Sequence, residues 1–168
     1  MKAEVQSNIR QSLGKLMDVV SRFDQSQIDV VPFEGSWTAG QVAEHITKGL
    51  SGMPRLVAGK TEVTTRAYNA KAQPLRDLFL DFSIKFQSPD FILPTKTVHA
   101  QTKLIIGLRQ IETELLDVAD KNDLTLSLLD FEMPQFGTLT IYEMLDFMMA
   151  HAQRHTHQLE HIYARLNP

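Results

Sequence analysis

Cysteine is absent from this 168-residue chain. That one absence removes disulfides, thiolate metal ligands and a cysteine nucleophile together, and leaves histidine and carboxylates as the ligands a metal site would have to use. Long apolar runs are missing too. The longest purely aliphatic stretch lies around Leu104–Ile106, far short of a bilayer span. No run of one charge sign occurs: 17 basic and 20 acidic residues give a net charge of −3. A nucleic-acid partner is therefore disfavoured, because phosphate binding needs a basic patch. The first residues, MKAEVQSNIRQ, carry charge but no apolar core segment, so a secretory signal peptide is not expected. No strand pattern is long enough to predict a sheet, and there is no internal repeat or low-complexity tract. A soluble, cytoplasmic protein that neither spans nor coats a membrane is the expectation.

What is present is ordinary globular material, 43% apolar and 22% charged, in a length suited to one domain over residues 1–168. Val5, Ile9, Leu13, Leu16, Val20 and Phe23 step by fours and threes, which predicts a first helix over about residues 3–23. Thr38 with Gln41 forms a capping box that opens a second helix, whose inner face is Val42, Ile46, Leu50 and Met53. Pro54 is expected to end or kink it. A third helix is predicted to start at Thr95, after Pro94, with a seam of Leu104, Leu108, Ile111, Leu115 and Val118. Thr140 and Glu143 make a second capping box, from which a fourth helix runs almost to the end of the chain.

Some forty residues with four prolines separate helices two and three, with a short helix predicted around Pro74–Phe82. The segment Asp120–Gly137 reads as an irregular connector whose Leu124, Leu126, Leu128 and Phe131 would close one end of the core. The fold class predicted is all-α, a four-helix bundle with a long crossover between helices two and three.

The six histidines sort by helical geometry. Setting His151 at zero puts His155 at about 40°, while the apolar side of the fourth helix centres near about 70°. These two imidazoles lie one turn apart on the core side and can converge on one ion. His45 flanks the buried stripe of the second helix in the same way. His157 and His161 fall on the polar side and read as a solvated pair, and His99 points away from the third-helix seam, which predicts a surface position. A lone inward histidine is more often a hydrogen-bonded core residue than a ligand. An HxxxH pair raises the case for a metal, since two buried imidazoles need partners and an ion satisfies both. Spacing alone does not bring His45 to the pair.

The segments Trp37-Thr38-x6-His45-Ile46 and Gly137-x-Leu139-Thr140-x2-Glu143-x7-His151-x2-Arg154-His155-x2-Gln158-Leu159 resemble the DinB-like (DinB/YfiT) superfamily over nearly the whole chain. The resemblance implies a four-helix bundle in which His45, His151 and His155 bind a divalent transition metal, zinc or nickel foremost, with iron or manganese as alternatives. Trp37 and Thr38 would anchor the helix that carries His45, and Gln158 would hydrogen-bond near the ligands. Arg154, also on a motif position, reads as a surface or interface residue. The commonest form of the last motif has histidine before the second ligand and arginine after it. Here Arg154 precedes His155 and Thr156 follows, as in a second branch.

Similar proteins include metal-dependent S-transferases that use low-molecular-weight thiols and enzymes that open or hydrolyse small substrates. The resemblance thus implies a metal-dependent transferase or hydrolase with a small-molecule substrate, with Met144 and Met148 expected beside the site as an apolar wall. Glu44 and Glu143 point away from the apolar stripes, so neither is chosen as a general base. Two alternatives stand beside an enzyme: a bundle with a structural metal, and an interaction protein whose histidines only hydrogen-bond. A homodimer formed through exposed helix faces is a further expectation.

Overall fold

The computed structural model describes residues 1–168. The chain is mostly helical. Helix α1 covers Lys2–Ser21, α2 Ala39–Leu50, α3 Met53–Val57, α4 Ala72–Leu80, α5 Gln101–Lys121 and α6 Ile141–Leu166. Both α1 and α2 pack against α5 and α6, and α4 lies along α6. Their stripes meet in one core. Every residue of the first-helix stripe from Val5 to Phe23 is buried, as are Val42, Ile46, Leu50 and Met53, Leu108 to Val118 of the α5 seam, and Leu145, Met148, Leu159 and Ile162 of α6. Both capping boxes form as their spacing predicts, Thr38 with Gln41 and Thr140 with Glu143. Pro54 ends nothing on its own: α2 stops at Leu50, and Pro54 occupies the first turn of α3, where a missing N–H costs no helical bond. No helix is long and apolar enough to cross a membrane.

A small sheet corrects the purely helical expectation. Strand β2 (Leu126–Met133) pairs antiparallel with β1 (Thr61–Val63) on one side and β3 (Gly137–Thr140) on the other. The three-residue β1 is too short to carry a period-two signal. In β2 the alternation breaks, with Ser127 and Leu128 both buried and the register shifting between Ser127 and Glu132. The turn between β2 and β3 places Gln135 and Gly137 at φ of 70° and 67°. This segment closes onto the core as predicted: Leu124 and Leu128 are buried in it, and Leu126 and Phe131 pack against it.

The third long helix begins six residues later than predicted, at Gln101 rather than Thr95. Thr95 does not cap a helix because its amide and hydroxyl, together with the Lys96 amide, donate to the Glu44 carboxylate. The chain there crosses α2 before it turns into α5. The short helix α4 ends at Leu80, two residues before the predicted Phe82.

The crossover is fastened to α6 by Glu143, whose side chain is fully buried. Its carboxylate accepts two bonds from the Arg66 guanidinium, both 2.6 Å, one from the Lys71 amide at 2.7 Å and one from the Thr140 amide at 2.9 Å. Burial pushes this carboxyl upward, but the bonds from Arg66, Thr140 and Lys71 outweigh it and hold the group below its ordinary value.

Candidate metal centre

Helix α2 supplies His45, and α6 supplies His151 and His155 one turn apart. The packing of α2 on α6 brings all three together: one nitrogen from each ring lies within 4.8 Å of the others. Ring centroids stand 5.2 Å apart for His45 and His151, 4.7 Å for His45 and His155, and 4.6 Å for His151 and His155. His45 and His155 are buried, and His151 keeps a partly open edge.

Hydrogen bonds outside the cluster leave Nε2 free on His45 and on His155. His45 Nδ1 lies 3.0 Å from the Ile92 carbonyl. A carbonyl only accepts, so Nδ1 carries the proton and Nε2 keeps its lone pair. His155 Nδ1 likewise donates to Gln158 Oε1 at 2.7 Å, which frees its Nε2 and realises the role expected of Gln158. His45 Nε2 and His151 Nδ1 are buried with no hydrogen-bond partner. Leaving such atoms unpaired costs about 1–3 kcal/mol each.

Burial lowers the pKa of His45, outweighing the opposite effect of its bond to Ile92. His151 is driven well below its ordinary value by burial and then by the two neighbouring imidazoles. Burial and His45 bring His155 down to about 3 despite its bond to Gln158. All three rings are neutral at physiological pH, the state a metal ligand must have.

This donor set fits a divalent transition metal. Three neutral imidazoles with unpaired, inward nitrogens suit zinc, nickel or iron rather than calcium or magnesium, which prefer oxygen. No further histidine, aspartate or glutamate joins the cluster, so three protein ligands would leave a coordination position open.

Aromatic rings wall the cluster. Trp37 lies 5.0 Å from His45, centroid to centroid, and Phe79 and Phe147 lie 6.0 and 5.9 Å from His151. Phe86 stacks on Phe79 at 4.7 Å and 6°. A Cβ at Gly49 would come 3.8 Å from His151 Nε2, so a small side chain there would touch the ring without clashing. Met144 and Met148, expected at this wall, are buried at 2% and 4% exposure as part of the core.

The family assignment agrees with this geometry. The family model described as the DinB superfamily matches residues 8–159, which includes all three histidines. The chain belongs to the DinB superfamily. No curated protein and no solved structure matches it.

Several residues of this DinB-superfamily chain differ from their sequence-based reading. His99 is not on the surface; it is 3% exposed. It precedes α5, so a helical wheel drawn through it gives the wrong direction. Its Nδ1 donates to Asp29 Oδ1 at 2.5 Å, and its Nε2 faces Glu44 Oε2 at 3.0 Å. Glu44 and Glu143 do face away from the core stripes, yet both are buried, because the long crossover covers those outer faces. Every bond just described uses their carboxylates structurally. Burial raises the Glu44 pKa, but Lys48, His99 and the Thr95 and Lys96 amides together hold it well below the usual carboxylate range.

Arg154 is half-buried and engaged within the chain. It donates to the carbonyls of Phe79, Asp81 and Ile84 and lies over the Phe86 ring, so it ties the aromatic wall to the helix that carries the two ligands. His157 and His161 stand side by side at 4.4 Å on the outer face, with His157 stacked on Phe82, and no third ligand joins them. Phe79, Phe86 and Phe147 were not singled out from sequence. The HxxxH pair offered one usable signal, since Phe147 lies one helical turn before His151.

Proposed function

We propose that this protein is a metal-dependent enzyme in which His45, His151 and His155 hold one divalent transition metal, zinc or nickel foremost, and a small molecule reacts at the open position. The four long helices are read as the bundle of the superfamily. The observation that carries the proposal is the pair of buried, unpartnered nitrogens, His45 Nε2 and His151 Nδ1, on two rings of a three-imidazole cluster without a fourth protein ligand. A purely structural metal would be expected to have a closed, four-ligand shell.

When bound, a divalent ion with an open position lowers the pKa of a coordinated water or thiol and so supplies a nucleophile at neutral pH. The chain's own residues do the rest. The Ile92 carbonyl and Gln158 hold the proton on the outer nitrogen of His45 and of His155. Trp37, Phe79 and Phe147 keep the surroundings apolar, which strengthens electrostatics and limits bulk water. The chain has no cysteine, so a thiol reaction would need a low-molecular-weight thiol from solution. Thiol transfer to a small electrophile and hydrolysis of a small ester or amide are the two reactions this chemistry suits. The test is a turnover screen of zinc- and nickel-loaded protein on both substrate classes, beside His151→Gln. Turnover that needs the metal and is lost in the variant supports an enzyme. A stoichiometric metal with no turnover in either class would favour a non-catalytic metal-binding protein.

A further inference from the structure

Three side chains of one α2 face grip the segment that precedes α5. Glu44 accepts from the Thr95 amide at 3.1 Å, the Thr95 hydroxyl at 3.0 Å and the Lys96 amide at 3.1 Å. Lys48 pairs with Glu44 at 2.9 Å and donates to the Leu93 carbonyl at 2.7 Å. Between them in sequence, His45 donates to the Ile92 carbonyl. That carbonyl is the group that decides which His45 nitrogen faces the metal centre.

The grip has its own anchor. The His99 imidazole bridges Asp29, in the loop after α1, and Glu44 on α2. Asp29 also accepts from the His99 amide at 2.7 Å, and Gln25 donates to the His99 carbonyl at 2.7 Å. The bridge lies flat against the backbone at Gly40, where a Cβ would meet His99 Nδ1 at 2.5 Å and Asp29 Oδ1 at 2.7 Å. Real Cβ atoms do not approach that closely, so any larger residue at position 40 must displace the ring or the carboxylate. Packing alone would not call for a buried imidazole with a carboxylate at each nitrogen, since buried charged groups are costly unless every one is paired.

We propose that His99, held between Asp29 and Glu44, is a positioning residue for the metal centre: it orients the Glu44 carboxylate, which pins Thr95 and Lys96 and thereby fixes the Ile92 carbonyl against His45 Nδ1. His45 is thus kept in the tautomer that turns Nε2 inward. The consequence for metal affinity rests on the function proposed above, whereas the consequence for the His45 tautomer does not.

The test uses the full chain as wild type, His99→Gln and the milder Asp29→Asn, with Glu143→Ala as a control that lowers stability far from this segment. Nitrogen-15 NMR of the imidazoles in metal-free protein reads the His45 tautomer, and chelator competition reads affinity for zinc ion alone. In wild type the His45 proton resides on Nδ1. In both cradle variants that population falls and zinc binding weakens, by up to the about 10–100-fold that outright loss of a ligand's outer partner costs, while Glu143→Ala leaves both readouts as in wild type. Asp29→Asn preserves shape and keeps the test decisive where His99→Gln does not fold. An unchanged His45 tautomer in a folded cradle variant overturns the proposal, as does an equal loss of zinc affinity in Glu143→Ala. If wild type binds no zinc, the metal reading fails, and the tautomer still decides whether His99 acts on His45.

Discussion

Removing the Glu143 carboxylate should release the crossover from the start of α6. In Glu143→Ala the Lys71 and Thr140 amides lose their acceptor, at about 1 kcal/mol each. Breaking a buried ion pair costs about 3–5 kcal/mol when the abandoned charge stays buried. Here Arg66 is 28% exposed and can turn partly toward water, so about 1–2 kcal/mol is the appropriate share. The Thr140 hydroxyl still caps the residue-143 amide, since that bond uses only the backbone of residue 143. The sum is about 3–4 kcal/mol. For a chain of this size each kcal/mol lowers Tm by about 2–4 °C, which gives a fall of about 6–16 °C in calorimetry of the metal-free protein. Glu143→Gln, which keeps one acceptor oxygen, should lie between the two. A Glu143→Ala protein melting within about 1 °C of wild type would refute the view that this carboxylate is the fastening point.

Gln158→Ala should weaken zinc binding by about 10–100-fold with little change in fold, because it removes the partner that orients His155; chelator competition measures this. Acid should destabilise the metal-free protein through the same histidines. Their folded pKa values lie below the unfolded value of about 6.5, so below that pH the unfolded chain binds more protons and stability falls until His155 itself titrates at about 3. Between pH 7.5 and 5.5, above the carboxylate range, the drop in Tm should be smaller in His155→Gln than in wild type; equal slopes would contradict the assignment. Arg154→Ala should free residues 79–86, seen as faster proteolysis between Leu80 and Phe86 with the helices intact. Unchanged cleavage there would show that the three carbonyl bonds do not hold the wall.

What the sequence made legible was local. Capping boxes at Thr38 and Thr140 need only three residues each, and stripes such as Val5 to Phe23 need one helix, so both were readable and both formed. His151 and His155 share a helix, and their common face followed from rotation alone. The arrival of His45 needed α2 to pack on α6, which no spacing states; the family motifs supplied it. Less legible was whatever the crossover covers. A helical wheel separates core from non-core faces, and it labelled Glu44 and Glu143 as outward. It has no way to show that residues 92–99 and 66–72 then bury those outer faces. His99 was misread for a related reason, since it was placed on a helix that begins two residues later. Its partners, Asp29 and Glu44, are 70 and 55 residues away. The sheet escaped notice because β1 is short and β2 alternates irregularly, and β1 is a strand only through its distant pairing with β2, Thr61 opposite Leu128.

One metal site shared by His45, His151 and His155 is the basis of the proposed function. Metal content by elemental analysis of tag-free protein, wild type beside His155→Ala, after incubation with zinc, nickel, iron and manganese in turn, tests it most directly. About one ion per chain in wild type, lost in the variant, is the result expected of a three-histidine centre. No stoichiometric metal in any condition, or an equal amount retained by His155→Ala, would contradict it.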